Sequence, residues 1–325
     1  MDGLPFFLES LAAMDGIVVT GSSGLVGFRL MQRLCKEGPA RGLYHRRKPN
    51  VGFGEWVQVD LRDRLETHGV LDRLKPTTII HCAAYSDPVY CEQYPEEANS
   101  LNFGGSLYLA EWSSRNACFL VLISTDLVFD GRRGGYREED VPRPVSVYGW
   151  TKLAAELAVR ECEPDFAIVR TSLVYGRSPE GDRGADEKLV SNWKDSRQTP
   201  LFVDEYRNPT AVGELAPVVL EIARLRATGF WHVAGAECVS RYEMGVKVAS
   251  AFGYPLDLLV PRKIEEVRCI PPRARNTTLN MDKTRKLLGF PFAAIEANLR
   301  SEHHRNAHTA TITKARANRY QKKTL

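Results

Sequence analysis

The chain has 325 residues, of which 43% are hydrophobic and 26% are charged. This composition is typical of a folded globular protein and excludes wholesale disorder. No apolar run approaches the ~18 residues of a membrane span, and a net charge of +4 is too small to indicate a nucleic-acid partner. Residues 301–325 hold six basic residues and one acidic residue, a net charge of +5, which leaves −1 for residues 1–300. We expect this basic segment to be a disordered tail, because it lacks apolar periodicity.

The first half of the chain alternates short apolar segments with helical patterns. This alternation predicts an α/β fold, a doubly wound parallel sheet of the Rossmann type covered by helices. We expect a dinucleotide-binding domain over residues 14–172 and a smaller, mainly substrate-binding lobe over residues 173–300, from which the chain could cross back to the core. The predicted strands are Gly16–Thr20, Arg41–His45, Trp56–Val59, Thr77–Cys82, Phe119–Ser124 and Phe166–Arg170. The predicted helices are Leu25–Lys36, Ala98–Ser114, Ser146–Glu161, Val212–Arg226, Arg241–Phe252 and Met281–Leu288.

The seven cysteines are odd in number and scattered, and no C-x-x-C pair occurs among them. The sequence therefore predicts neither a disulfide framework nor a zinc site. Free cysteines are typical of the reducing cytosol, so we expect a cytoplasmic protein.

A glycine-rich turn follows the first predicted strand, with glycines at positions 21, 24 and 27. In the dinucleotide-binding motif the glycines allow a tight turn, a close approach to the pyrophosphate and close helix packing. The free N–H groups and positive dipole of the next helix also favour phosphates. The alternative is a purely structural turn. The predicted cofactor contacts in this turn are Gly21, Ser22, Ser23, Gly24, Leu25, Val26 and Gly27.

The second predicted strand is followed by His45-Arg46-Arg47-Lys48. An NAD site usually has an Asp or Glu near this point for the ribose 2′-hydroxyl. Arginine instead attracts a 2′-phosphate and can bind it with a fork of hydrogen bonds. Arg46 and Arg47 therefore favour NADP(H), with NAD possible, and the alternative is a solvated basic loop. Asp60 and Leu61, after the third strand, are further cofactor candidates, Asp60 for the adenine amino group.

Tyr148 and Lys152 stand four residues apart on a predicted helix, which places both side chains on one face. A nearby ammonium group stabilises a phenolate and lowers the pKa of tyrosine, which is otherwise near ~10. Such a tyrosine can exchange a proton with a substrate oxygen while hydride moves at the carbon. Ser124 and Thr125 end an apolar strand upstream, and either hydroxyl could bind the reacting carbonyl. The two hydroxyls could equally be strand-end caps.

Together these features resemble the extended short-chain dehydrogenases/reductases, and within them the dTDP-4-dehydrorhamnose reductase group. The likeness spans residues 15–295. The motifs that carry it are Thr20–Gly27, His81-Cys82-Ala83-Ala84, Leu101-Asn102, Ser124-Thr125-Asp126, Val128-Phe129-Asp130-Gly131, Tyr148–Lys152 and Arg170-Thr171-Ser172-Leu173-Val174-Tyr175-Gly176.

The resemblance implies roles for individual residues. Thr125, Tyr148 and Lys152 match the catalytic triad, and Ser124 could share the hydroxyl role. Lys152 would also hold the nicotinamide ribose. Further cofactor residues would be Ala83, Ala84, Tyr85 and Asn102, the last either structural or part of the proton path. Substrate candidates are Asp87, Thr125, Asp126, Leu173 and Arg207.

The sequence also departs from the family pattern. Leu173 replaces a tryptophan, and Tyr206-Arg207-Asn208 replaces smaller residues before Pro209-Thr210. Arg29 stands where these reductases carry an acidic residue that supports a magnesium-bridged dimer, so we expect no metal site. These departures favour retained chemistry on a substrate that differs from dTDP-4-keto-rhamnose.

Three functions are compatible with these features. The first is an NADP(H)-dependent oxidoreductase that reduces a keto group on a deoxysugar nucleotide or similar polar metabolite. The second is a sugar-nucleotide epimerase or dehydratase that recycles its cofactor. The third is a non-catalytic NADP-binding regulatory subunit like that of methionine adenosyltransferase. In each case we expect a small-molecule ligand, no nucleic-acid or membrane partner, and a monomer or homodimer.

Overall fold

The computed structural model describes residues 16–162 and 165–301. The prediction of a disordered tail falls almost entirely outside these residues. The numbered helices and strands, in chain order, are β1 (Ile17–Thr20), α1 (Leu25–Glu37), β2 (Arg41–Tyr44), β3 (Glu55–Gln58), α2 (Arg64–Leu74), β4 (Thr78–His81), α3 (Pro88–Gln93), α4 (Pro95–Asn99), α5 (Ser106–Arg115), β5 (Phe119–Thr125), α6 (Val147–Glu161), β6 (Phe166–Thr171), β7 (Val174–Tyr175), α7 (Ala185–Lys194), β8 (Thr199–Phe202), β9 (Tyr206–Arg207), β10 (Thr210–Ala211), α8 (Val212–Arg224), β11 (Gly229–His232), β12 (Val239–Ser240), α9 (Arg241–Phe252), β13 (Leu259–Arg262) and α10 (Asp282–Leu288).

Seven strands form the central sheet in the order β11-β6-β5-β4-β1-β2-β3. Every pairing in it is parallel. The central strands β1, β4 and β5 are buried along their whole length, because helices cover both faces of the sheet. The predicted doubly wound α/β fold is therefore confirmed.

One strand of the sheet was not predicted. The short strand β11 pairs with β6 in register, from Gly229 opposite Ala167 to His232 opposite Arg170. It reaches the sheet only after the chain has built much of the smaller lobe, through β7 to α8. The chain thus returns from residues beyond 172 to complete the core sheet, so the two predicted domains are interleaved along the sequence.

A second difference lies in the predicted helix Ala98–Ser114. The structure divides it into α4, a π-helical segment over Ser100–Gly105, and α5. Single π-helical turns of this kind occur frequently at functional sites, and this one carries the candidate Asn102. Among the described residues, no helix is both long enough and apolar enough to cross a bilayer.

Candidate active site

Thr125 and Tyr148 meet at the carboxyl end of the sheet. Thr125 ends β5, where its hydroxyl donates to Asp126 Oδ1 at 3.2 Å and accepts the Leu127 N–H at 3.1 Å. The same hydroxyl lies near the phenol of Tyr148, in the first turn of α6, and lowers the pKa of that phenol. A Cβ atom at Gly149 would lie 2.3 Å from the Leu127 carbonyl oxygen. Only glycine therefore lets α6 approach the turn after β5 closely enough to bring these two side chains together.

Burial raises the pKa of the Tyr148 phenol, and the smaller effect of the Thr125 hydroxyl lowers it. This direction is the opposite of the lowered pKa expected from the Tyr–Lys spacing. Desolvation penalises the charged phenolate, and its effect dominates here. Tyr148 is consequently protonated at neutral pH and can act as a proton donor.

Lys152 lies one turn further along α6 and is buried, with its Nζ donating a hydrogen bond of 2.8 Å to the Ile123 carbonyl oxygen. Burial lowers its pKa to about 8, and the Glu156 carboxylate partly opposes this change. Lys152 is thus anchored to the same strand end that carries Thr125, and it keeps most of its charge at neutral pH.

Ser124 has a different set of partners from its neighbour Thr125. Its hydroxyl donates to Glu156 Oε1 at 2.5 Å. The same carboxylate accepts two bonds from the Arg170 guanidinium, at 3.0 and 2.7 Å, and both side chains of this ion pair are buried. Arg170 in turn stacks between the rings of Phe129 and Phe230, 5.0 and 4.6 Å from their centroids. The two adjacent hydroxyls therefore face different groups, Thr125 the phenol and Ser124 a buried ion pair.

Asp126, a substrate candidate, forms the other side of the site. Its Oδ2 accepts hydrogen bonds from Thr277 at 2.6 Å and Ser172 at 2.8 Å, and the Arg207 guanidinium lies 3.6 Å away. The structure thus brings Asp126 and Arg207 together although 81 positions separate them in the sequence. Neither Ser172 nor Thr277 was predicted as a site residue.

Arginines cluster around the buried Glu205 next to Asp126. Arg207 donates to Glu205 Oε1 at 3.1 Å, and Arg273 lies 3.9 Å from the same oxygen. Arg241 interacts electrostatically with Glu205, Asp126 and both other arginines. Three guanidinium groups thus face two carboxylates at this edge of the site, so the local charge is positive and suits an anionic ligand.

The glycine-rich turn has the shape that a dinucleotide requires. Gly21 has a φ of +60°, and a Cβ there would lie 2.5 Å from the Ala83 backbone nitrogen. The helix α1 begins after Gly24, and no side chain caps its N–H groups. Its N-terminus is therefore available to a phosphate, and the residues present fit a dinucleotide.

The predicted turn residues do not all face the same way. The Ser22 hydroxyl is buried and donates to the Leu43 carbonyl oxygen at 2.8 Å, which joins the turn to β2. Leu25 and Gly27 are also buried, whereas Ser23 and Val26 are partly exposed. Ser22 thus stabilises the turn through a buried hydrogen bond.

Basic and acidic side chains follow β2 and β3, the two strands next to the glycine-rich turn. Arg46 and Arg47 are exposed after β2, and Arg47 donates to Glu180 at 3.0 Å. Asp60 binds Arg62 through Oδ2 at 2.6 Å, and this interaction lowers the pKa of the Asp60 carboxyl group to about 2. Asp60 therefore stays ionised as the partner of Arg62.

Asn102 and Tyr85 hold each other in place through their backbone and side-chain groups. Asn102 Oδ1 accepts from the Tyr85 N–H at 2.8 Å, and Asn102 Nδ2 donates to the Tyr85 carbonyl and the Thr151 hydroxyl. The π-helical segment thereby fixes the loop after β4, including Ala83 and Ala84. Leu61 is buried beside the same segment, where it contacts Gly105.

Two substrate candidates have evident structural roles. Asp87 caps α3 by accepting the N–H groups of Val89 and Tyr90. Leu173 packs against the hydrophobic core of the smaller lobe. Among the described residues no cluster of three or more His, Cys, Asp or Glu side chains could hold a metal ion.

This sheet, turn and Tyr–Lys pair define a dinucleotide-binding α/β protein of the short-chain dehydrogenase/reductase class. The family described as "RmlD substrate binding domain" matches residues 14–306, and the chain belongs to this family.

Two similar proteins are described by different functions. A probable low-salt glycan biosynthesis reductase, Agl14, of Haloferax volcanii is 32% identical over 86% of this chain and 95% of its own. The methionine adenosyltransferase 2 subunit beta of Pongo abelii is 31% identical over 83% of this chain and 82% of its own.

Solved structures agree on the fold. The dTDP-4-dehydrorhamnose reductase of Bacillus anthracis in complex with NADP superposes with a TM-score of 0.78 at 25% identity, covering 89% of this chain and 98% of that chain. A hypothetical dTDP-4-dehydrorhamnose reductase of Sulfolobus tokodaii gives 0.76 at 28% identity, covering 87% and 98%.

Proposed function

We propose that the protein is an NADP(H)-dependent reductase of a keto group on a deoxysugar nucleotide or a similar polar metabolite. The observation that carries this proposal is the placement of Tyr148 and Lys152 on one face of α6 at the end of β5 that bears Thr125, with Lys152 bound to the Ile123 carbonyl oxygen at 2.8 Å. The similarity to a glycan biosynthesis reductase and to an NADP-bound dTDP-4-dehydrorhamnose reductase supports it.

The proposed chemistry divides between the cofactor and three side chains. NADPH, when bound, would supply the hydride for the carbonyl carbon. Tyr148 donates its proton to the carbonyl oxygen as negative charge develops there, and Thr125 donates a hydrogen bond to the same oxygen. The charged Lys152 would hold the nicotinamide ribose and stabilise the phenolate that remains, which would regain its proton from solvent.

The cofactor would lie along the carboxyl end of the sheet. The turn over Gly21–Gly27 would hold the pyrophosphate, and Ala83, Ala84 and Tyr85 would line the adenosine side. Arg46 and Arg47 would face the 2′-phosphate, because their charge is opposite to that of a phosphate. Asp60 is less suited to the adenine amino group than the sequence indicated, since Arg62 already occupies its oxygens.

The cluster of Arg207, Arg241 and Arg273 supports an anionic substrate. Arginine forks match phosphate oxygens, and these three residues lie on the Asp126 side of the catalytic hydroxyls. A nucleoside diphosphate attached to the sugar would supply such a group. Leu173 and Asp87, whose contacts are structural, become weaker candidates for direct substrate contact.

An absorbance assay tests the reductase proposal. Purified protein is incubated with NADPH and a panel of 4-keto nucleotide sugars, and NADPH oxidation is followed. We expect oxidation by the wild type, loss in Tyr148→Phe, and no loss in Tyr94→Phe, a matched change at an exposed tyrosine. NADPH binding measured by fluorescence should persist in both variants, which shows that they are folded.

The second candidate is a non-catalytic regulatory subunit, which the similarity to methionine adenosyltransferase subunits favours. Two results together would support a regulatory subunit over a reductase. The protein would bind NADPH tightly without oxidising it with any substrate, and it would bind a methionine adenosyltransferase catalytic subunit. Product formation without net NADPH oxidation would instead indicate an epimerase.

A further inference from the structure

The smaller lobe contributes a carboxylate to the basic segment after β2. Glu180 lies 3.0 Å from Arg47, although 133 positions separate the two residues. The segment directly after β2 contains no acidic residue, since Tyr44 is followed by His45-Arg46-Arg47-Lys48. The fold thus brings an acidic group to the place where the local sequence has only basic groups.

Glu180 stands on a loop whose shape is fixed from within. The buried Ser178 hydroxyl accepts the N–H groups of Gly181, Asp182 and Arg183 at 3.1–3.3 Å and donates to Glu187 at 2.7 Å. Glu187, in the first turn of α7, also accepts the N–H groups of residues 178, 183 and 184. This network holds residues 177–184 as a formed loop, with Glu180 directed towards Arg47.

The nearby Asp60 carboxylate is paired with groups other than Arg47. Asp60 binds Arg62 at 2.6 Å and lies 3.4 Å from His45. Arg47 is the guanidinium that faces Glu180, and the side chains of this pair are 74% and 39% exposed. An exposed pair of this kind is weak, so a stronger anion can displace it.

We propose that Glu180 determines how the protein discriminates between a ribose 2′-phosphate and a ribose 2′-hydroxyl. This inference rests on the proposed dinucleotide site. A 2′-phosphate must displace the Glu180 carboxylate from Arg47 and is repelled by it. A 2′-hydroxyl leaves the ion pair intact and can donate a hydrogen bond to the carboxylate. Glu180 therefore lowers the preference for NADPH that Arg46 and Arg47 create.

The test compares dissociation constants of NADPH and NADH by fluorescence titration for the wild type and two variants. Glu180→Gln removes the charge that faces Arg47. Asp182→Asn removes the same charge from the same loop, but at a residue paired with its neighbour Arg183. We expect Glu180→Gln to raise the ratio of the NADH to the NADPH dissociation constant about 2- to 5-fold, the range of an exposed ion pair. Asp182→Asn should leave this ratio unchanged.

A double-mutant cycle shows whether the effect passes through Arg47. In an Arg47→Gln background, Glu180→Gln should change the ratio less than in the wild type, because the two residues are in contact. The effect should also shrink at high salt, which screens exposed charges. An equal shift in Glu180→Gln and Asp182→Asn, or none in either, would overturn the inference. A wild type that binds neither dinucleotide would instead overturn the proposed function.

Discussion

Substitutions of the two neighbouring hydroxyl residues at the end of β5 should affect stability and catalysis differently. The structure directs Ser124 towards the buried Glu156–Arg170 pair and Thr125 towards the Tyr148 phenol. Ser124→Ala should therefore lower the free energy of unfolding and leave turnover nearly unchanged. Thr125→Val should mainly lower turnover, with a smaller loss of stability because its hydroxyl also caps the turn after β5.

The magnitudes follow from the contacts. Ser124 donates one hydrogen bond to a carboxylate, and such a bond contributes about 1.5–3 kcal/mol to stability. The Glu156 carboxylate keeps both bonds from Arg170 in this variant, so the fold survives. Thr125→Val removes the hydroxyl that we propose binds the reacting oxygen, and loss of one such donor lowers kcat about 10²–10³-fold.

Both quantities can be measured on the same preparations. Urea unfolding followed by circular dichroism gives the change in free energy, provided that the slope with denaturant stays constant. NADPH oxidation with the substrate identified in the panel gives kcat. The reasoning would be refuted if Ser124→Ala kept normal stability but lost 100-fold or more in kcat, which is about the loss of one oxyanion donor. Ser124 would then be the catalytic hydroxyl.

Two further predictions concern the groups behind the site. Glu156→Gln leaves the Arg170 guanidinium buried without a counter-charge and should destabilise the protein by about 3–5 kcal/mol in urea unfolding. The control Glu161→Gln, at an exposed residue of the same helix, should change stability by less than about 0.5 kcal/mol. Equal losses of stability in the two variants would contradict the role of the ion pair. Because burial lowers the pKa of Lys152 to about 8, Lys152 loses its charge as the pH rises through that value. We therefore expect kcat to fall around pH 8. A kcat that stays constant up to pH 10, about two units above this pKa, would show that the charge of Lys152 is not needed.

The sequence predicted best those features that depend on residues close together in the chain. The glycine turn, the Tyr148–Lys152 spacing and the alternation of strands and helices are local patterns, and the parallel sheet follows from them. Boundaries of α1, α6 and α9 agree with prediction within one residue. The site assignments themselves remain predictions until variants are measured.

The groups that sequence reasoning missed are held by distant partners. Glu156 could have been noticed, since it lies four residues after Lys152 on the same helix face. Its ion pair with Arg170, the Asp126–Thr277 bond and the Glu180–Arg47 contact depend on strand order and on loops from the smaller lobe. The raised pKa of Tyr148 likewise depends on burial, which a spacing of four residues does not reveal.

The bond between Asp126 and Thr277 has a consequence for how the site is assembled during synthesis. The two residues are 151 positions apart, and chains fold progressively as they emerge from the ribosome. The glycine turn and the Tyr148–Lys152 pair lie within the first 152 of the 325 residues, so they can form while later residues are still being made. The Asp126 side must wait for Thr277. A nascent chain could therefore acquire its nucleotide cleft first and its substrate cleft only near the end of translation.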